Sequence, residues 1–192
     1  MKTIEEGRKV FDVEIESLLR TRDSLDEVFE QLVDCFYNCS GKVITVGLGK
    51  SGHVAKKIAA TLSSLGTPSF FLSPSEALHG DLGMVTNGDV LLMISYSGEA
   101  EEIKKILPIA KETGCAVTAI TGVAGSSLAR EADIAAVLPA ISEACAFGLA
   151  PTSSTTATLC YGDAIAVALS IRKGFGKKDF QRLHPSGALA GK

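Results

Sequence analysis

The chain has 192 residues, 46% of them hydrophobic and 21% charged, with a net charge of −3, a balance that belongs to one folded globular domain and lies outside the disordered range. No basic stripe longer than Lys177-Lys178 is present, which excludes the electrostatic footprint of a nucleic-acid module. No run of 18 apolar residues could span a membrane, and the first six residues lead into charge instead of an apolar signal core, so the reading is cytoplasmic.

Two helices are expected first, over 4–20 and 24–38. Val10, Val13, Ile15, Leu18 and Leu19, then Val28, Leu32, Val33 and Phe36, recur at roughly helical spacing. Asp23 or Ser24 is the expected start of the second. From residue 42 the texture changes: β-rich apolar runs at 42–47, 69–72, 90–95, 116–121 and 134–138 alternate with helical patterns at 51–65, 99–113, 126–131 and 153–172. Nearly continuous apolar strands separated by helices predict an α/β domain, a parallel sheet covered on both faces. The five cysteines, at 35, 39, 115, 145 and 160, are odd in number and lack metal-ligand spacing; they read as buried reduced thiols.

Ligands of an open parallel sheet collect at the carboxyl ends of the strands. Two strand-to-helix turns there suit anions. In Gly47-Leu48-Gly49-Lys50-Ser51-Gly52 the glycines allow close backbone approach, and the next helix offers free N–H groups and the positive end of its dipole. The spacing is neither a Walker loop nor a complete dinucleotide fingerprint. Ser95-Tyr96-Ser97-Gly98 supplies two hydroxyls before a helix, where Ser97 reads either as a cap or as a phosphate donor. Two such turns from neighbouring strands favour phosphate.

At about 100° per residue, Ile103, Ile106, Leu107 and Ala110 form the buried stripe of the helix that follows. Glu101 points away from it, Glu99 lies in the first turn and Glu102 falls on the margin, where a carboxylate can be partly desolvated. All three could equally complement the helix dipole. His53 reads as structural or capping, His79 as a loop acid or base candidate, and His184, eight residues before the end, as a tail residue when taken alone. Pro151-Thr152-Ser153-Ser154-Thr155-Thr156 carries more hydroxyls than one helix cap needs, so contact with sugar or phosphate oxygens is open at Thr152 and Ser153.

In this order, Gly49-Lys50-Ser51, His79-Gly80-Asp81, Ser95-Tyr96-Ser97-Gly98, Pro151-Thr152-Ser153-Ser154-Thr155 and His184-Pro185-Ser186-Gly187 resemble the sugar isomerase (SIS) domain family, and within it the arabinose-5-phosphate isomerases. The resemblance runs from about 41 to 187. It implies a three-layer sandwich, a five-stranded parallel sheet flanked by helices, here with two N-terminal helices added, in a single domain over 1–192. It also implies a phosphosugar substrate and interconversion of D-ribulose 5-phosphate and D-arabinose 5-phosphate through a cis-enediol, toward Kdo for lipopolysaccharide or capsule. The family's catalytic set carries over to Lys50, His79, Glu102 and His184, and its phosphate contacts to Ser51, Ser95 and Ser97, with Gly49, Gly52 and Gly98 shaping the turns. No cofactor and no metal are expected. A homo-oligomer is, with a tetramer as the favoured form, sites shared between subunits, and no nucleic-acid or membrane partner. Tyr96, Ala100 and Ser73 stand where the family commonly has asparagine or glutamine, serine or threonine, and histidine. Many members continue into paired CBS domains; this sequence reads as having none. The alternatives are a sedoheptulose-7-phosphate or hexulose-6-phosphate isomerase, against which the terminal histidine-proline argues, and a non-catalytic sugar-phosphate sensor, for which residues 1–40 offer no DNA-binding unit.

Overall fold

The computed structural model describes residues 2–185. Ser186 and Gly187 of the terminal motif lie outside the described residues. Helices α1 (Lys2–Asp23) and α2 (Glu27–Tyr37) come first. The start of α2 expected at Asp23 or Ser24 falls at Asp26 instead, whose carboxylate accepts from the Val28 N–H at 2.9 Å. Ser24 is engaged in closing α1, its hydroxyl donating to the Thr21 carbonyl at 2.9 Å.

Strands β1 (Val43–Gly47), β2 (Ser69–Leu72), β3 (Val90–Ile94), β4 (Ala116–Thr121) and β5 (Ile134–Val137) form one sheet in the order β2-β1-β3-β4-β5, with every pair parallel. Helices α3 (Gly49–Ser64), α5 (Glu101–Glu112), α6 (Ser127–Glu131) and α7 (Ser153–Arg172) follow β1, β3, β4 and β5. The expected strands and long helices are all present. Shorter pieces escape the sequence reading: α4 (Pro74–Ala77), a 3₁₀ turn over Asp81–Met84, and α8 (Lys177–Leu183). One or two turns are too few to establish an apolar period.

Alternate strand residues bury on opposite faces, because successive side chains of a strand point to opposite sides. Val90, Leu92 and Ile94 join Leu32, Ile58 and Leu169 beneath α2, α3 and α7. Leu91 and Met93 join Ala77, Ile106 and Leu128 beneath α4, α5 and α6. Three layers with two buried sheet faces explain why the strands read as continuous apolar runs. The cysteines are all free thiols, as expected, but burial is complete only at Cys115, on the α5 side of the sheet. Cys35, Cys39 and Cys145 are half-buried, and Cys160 is exposed on the outer face of α7. Among the described residues α7 is the one helix long and apolar enough to cross a membrane by length and composition; half of its most apolar window is buried here, against α1, α2 and α3. Helix α1 lies outside this sandwich on α7 and buries only Ser17 and Thr21, leaving Ile4, Phe11, Ile15 and Leu19 exposed.

Candidate active site

Strand order reverses between β1 and β3, since the chain moves from β1 to one side for β2 and then to the other for β3. Such a switch point opens a crevice at the carboxyl ends of the two strands. The two anion-suited turns flank it, one after β1 and one after β3.

In the first turn the end of β1 and the start of α3 touch so closely that neither contact residue can carry a side chain. A Cβ on Gly47 would lie 2.8 Å from the Ser51 carbonyl oxygen, and one on Gly52 would lie 2.7 Å from the Gly47 carbonyl oxygen. No side chain caps α3, whose N-cap is Leu48, so the helix start faces the crevice. Gly49 and Ser51 line a hollow of about 300 Å³ together with Ser95, Ser97, Tyr96 and Ala100 of the second turn.

In the second turn Ser95 Oγ accepts from the Gly98 N–H at 3.1 Å and Ser97 Oγ from the Glu99 N–H at 3.3 Å. Gly98 has φ +66°, the left-handed region that glycine enters without strain, and a Cβ there would collide with Ser126 Oγ at 2.2 Å. The helix expected from 99 begins at Glu101, and its N-cap, Ala100, has no side-chain bond. Ser97 therefore does not cap it. Glu99 lies ahead of the helix and reaches across to α6, accepting from the Ser127 N–H at 2.7 Å and the Ser127 hydroxyl at 3.0 Å. Those two bonds hold its carboxyl below the usual range. The dipole it complements is that of α6, not that of its own helix.

Of the expected catalytic groups, Lys50 and His79 are exposed, and Glu102 is half-buried on the margin of α5, as its helical position predicts. Glu101 faces solvent and pairs with Lys104 at 2.6 Å. None of the three expected groups lines the 300 Å³ hollow or the larger cleft described next. His184 is not a tail residue: it follows α8, its ring stacks on Phe180 at 3.9 Å, Nδ1 lies 2.8 Å from the Phe180 carbonyl oxygen and Nε2 lies 2.8 Å from Ser64 Oγ. A carbonyl only accepts, so Nδ1 carries a proton and donates to it, while the Ser64 hydroxyl, which can donate or accept, pairs with Nε2. Ser64 ends α3 whereas Ser51 begins it, which puts His184 about 20 Å along that helix from the crevice.

A larger cleft, about 530 Å³, opens beside the first hollow and shares Ser51 and Tyr96 with it. Its far wall comes from the loop over 138–152 and the first turns of α7: Glu143, Leu149, Ser154, Thr155 and Thr158. The expected contacts Thr152 and Ser153 are not in this wall. The Thr152 hydroxyl is engaged in the loop, accepting from the Ala144 N–H at 2.8 Å, and Ser153 is fully buried with its hydroxyl unpartnered. The helix start at 153 turns 154, 155 and 158 to the cleft instead, a spacing of one face that the sequence already carries. Glu143 escapes the sequence reading, since irregular loops give no period. Its Oε2 accepts from Thr152 N–H at 2.7 Å and Ser154 N–H at 3.2 Å, supplying α7 with a carboxylate cap. Burial pushes this carboxyl up, but hydrogen bonds from Ser154 and Thr152 outweigh it and leave it below its ordinary value. A smaller hollow of about 240 Å³, on the β2 side of the first turn, is lined by Gly49, Gly52, His53 and Lys56. Among the described residues no group of three or more His, Cys, Asp or Glu side chains converges as metal ligands would.

Anion-suited turns thus meet at a switch point, with hydroxyls along one wall of the cleft beside them. The chain is similar in sequence to several known proteins. Arabinose 5-phosphate isomerase KdsD of Salmonella typhi is 48% identical over 186 residues, covering 97% of this chain and 57% of the relative. The isomerase GutQ of the same organism is 48% identical over 183 residues, 95% of this chain and again 57% of the relative. The chain thus spans little more than half the length of the curated relatives it matches. A solved structure of Escherichia coli CFT073 c3406, in complex with arabinose 5-phosphate, superposes with a TM-score of 0.93 at 43% identity, covering 96% of this chain and 98% of that one. The SIS domain model matches residues 36–168, the stretch from the end of α2 into α7 that holds the sheet and both turns. By fold, by turns and by this match, the chain belongs to the SIS domain family.

Proposed function

We propose that this protein interconverts D-ribulose 5-phosphate and D-arabinose 5-phosphate. The observation that carries the reading is the pair of turns at the β1/β3 switch point, in a chain 43% identical to a protein solved with arabinose 5-phosphate and 48% identical to arabinose 5-phosphate isomerases. The phosphate end of the substrate belongs at Ser51, Ser95 and Ser97, and the carbon chain with its hydroxyls belongs along the cleft.

An aldose–ketose interconversion moves one proton between adjacent carbons while a carbonyl and a hydroxyl exchange places. It needs a base at carbon, acid–base groups at two oxygens and a charge to meet the developing oxyanion. Glu102 is the base in this proposal, carried by the first turn of the helix that follows the second anion-suited turn. Lys50, at the start of α3, meets the oxyanion. His79 and His184 move protons at oxygen, each such group contributing ~10²–10⁴ in rate. Because His184 is held at the far end of α3 in its own subunit, it serves the crevice of a neighbour in a homo-oligomer, a tetramer in this reading. The product, in the cytoplasm, goes toward Kdo.

The test is direct. Purified protein given D-ribulose 5-phosphate in heavy water should form the aldose and incorporate solvent deuterium at the reacting carbon. Binding of the sugar without exchange would replace the isomerase reading with that of a sensor.

A further inference from the structure

Tyr96 takes no part in the chemistry above, yet it borders both the 300 Å³ hollow at the phosphate turn and the 530 Å³ cleft beyond it. Its position is imposed from below. The Tyr96 carbonyl accepts from the Gly122 N–H at 2.9 Å and the Thr121 hydroxyl at 3.2 Å, tying the turn after β3 to the end of β4. The ring itself lies on the bare backbone of Gly122: a Cβ there would sit 2.5 Å from Cε2 and 2.6 Å from Cζ, closer than real carbon atoms approach. A tyrosine has two side-chain torsions, and both are constrained once the ring rests on backbone.

We propose that Tyr96 is a specificity-determining residue that sets the length of phosphosugar the site accepts, with Gly122 as its positioning residue. The inference rests on the phosphosugar reading above. The phosphate is fixed at one end by Ser51, Ser95 and Ser97, so any rigid wall beyond it acts as a ruler on the carbons that follow. The ring is that wall. Past it the cleft offers hydroxyls of Ser142, Ser154, Thr155 and Thr158 and the carboxylate of Glu143, groups that pair with sugar hydroxyls but do not by themselves count carbons. The volume beyond exceeds that of the hollow holding the phosphate end, so capacity does not limit length, and the partition does.

The experiment compares kcat/KM for D-ribulose 5-phosphate with that for sedoheptulose 7-phosphate in the wild type and in Tyr96→Ala, Tyr96→Phe, Tyr96→Leu and Gly122→Ala, each checked for a cooperative thermal transition. Removing the ring should lower the five-carbon to seven-carbon preference tenfold or more in Tyr96→Ala and in part in Tyr96→Leu. Tyr96→Phe should keep the preference within threefold, since the ring and not the hydroxyl is the wall. Gly122→Ala, which pushes the ring from its seat, should shift the preference in the same direction as Tyr96→Ala. Inorganic phosphate, titrated as a competitor, should bind wild type and Tyr96→Ala within threefold of each other. An unchanged preference in Tyr96→Ala, or a loss of phosphate affinity equal to the loss of substrate affinity, would overturn the proposal. If the wild type turns over neither sugar, the isomerase reading fails on its own, and the same ratio is then read from dissociation constants of the two sugars by calorimetry, with the same thresholds.

Discussion

Asp89 is 1% exposed, yet it carries a carboxylate into the base of the sheet. Its Oδ1 accepts from the Lys42 N–H at 2.7 Å, and its Oδ2 from the Thr86 N–H and the Thr86 hydroxyl, each at 2.8 Å. The residue thereby ties the entrances of β1 and β3, the two strands on either side of the crevice. Burial pushes the carboxyl up, but the bonds from Lys42 and Thr86 outweigh it and hold it below its ordinary value. A group whose folded pKa is depressed stabilises the fold above its unfolded value, near ~4 for aspartate, and that stability disappears as pH falls through the folded value. Asp89→Asn should therefore cost about 1–3 kcal/mol at neutral pH, because backbone donors lose an ionised acceptor. That is a fall of several degrees in Tm for a chain this long. The variant should also show a shallower loss of stability below about pH 4 than the wild type. Thermal melts from neutral pH down to about pH 2.5 measure both, and parallel curves for the two proteins would refute the assignment.

Helix α5 divides its first-turn carboxylates by face. Glu101 faces solvent in a pair with Lys104, and Glu102 turns to the margin of the stripe formed by Ile103, Ile106, Leu107 and Ala110. Glu102→Gln should lower kcat by ~10² or more, as expected for loss of an acid–base group, and Glu101→Gln should change little. Equal losses in steady-state assays would show that helical face does not separate their roles. The same helix indicates how much the sequence reveals. Its apolar period places Glu101 and Glu102 correctly, because i, i+3 and i+4 neighbours within one element decide the matter. Its start is misread, because Glu99 takes its partner from Ser127, 28 residues away, and no local pattern records that bond. The strands, long helices and both turns are legible for the same reason: each is written in a window of a few residues. Glu143 and the seat of the Tyr96 ring on Gly122 are not, since both depend on loops and strand ends brought together only by the sheet. His184 reads as a tail residue because the short α8 that orders it lacks a period of its own.

At the scale of the molecule, the folded chain leaves broad apolar surface. Ile4 is 63% exposed, Phe11 71% and Ile15 52%, one stripe along the outer helix α1. Surfaces of that kind mark interfaces, and a neighbour would also bring a His184 within reach of a crevice that its own chain cannot supply. The protein should elute as an oligomer in size-exclusion chromatography with light scattering. Inactive His184→Ala and inactive Lys50→Ala proteins, dissociated and reassembled together, should recover part of the wild-type activity, because mixed oligomers contain some crevices built wholly of intact residues. A monomer, or verified mixed oligomers without recovery, would remove the shared site and leave the isomerase proposal standing.

Seating α1 on α7 also sets the order in which surfaces are covered during synthesis. The helix made earliest packs on the long helix made after the whole sheet, with the Thr156 hydroxyl of α7 donating to the Glu14 carboxylate of α1 at 3.1 Å. At ~5–20 residues per second, a ribosome needs on the order of 10 s to travel from Asp23 to Ser153. Throughout that interval the face of α1 that packs on α7 has no α7 to lie on. The nascent chain thus makes α1 early and gains its seat late, so the face of Ser17 and Thr21 is covered only once α7 has been made, whereas the stripe of Ile4, Phe11 and Ile15 stays exposed even then.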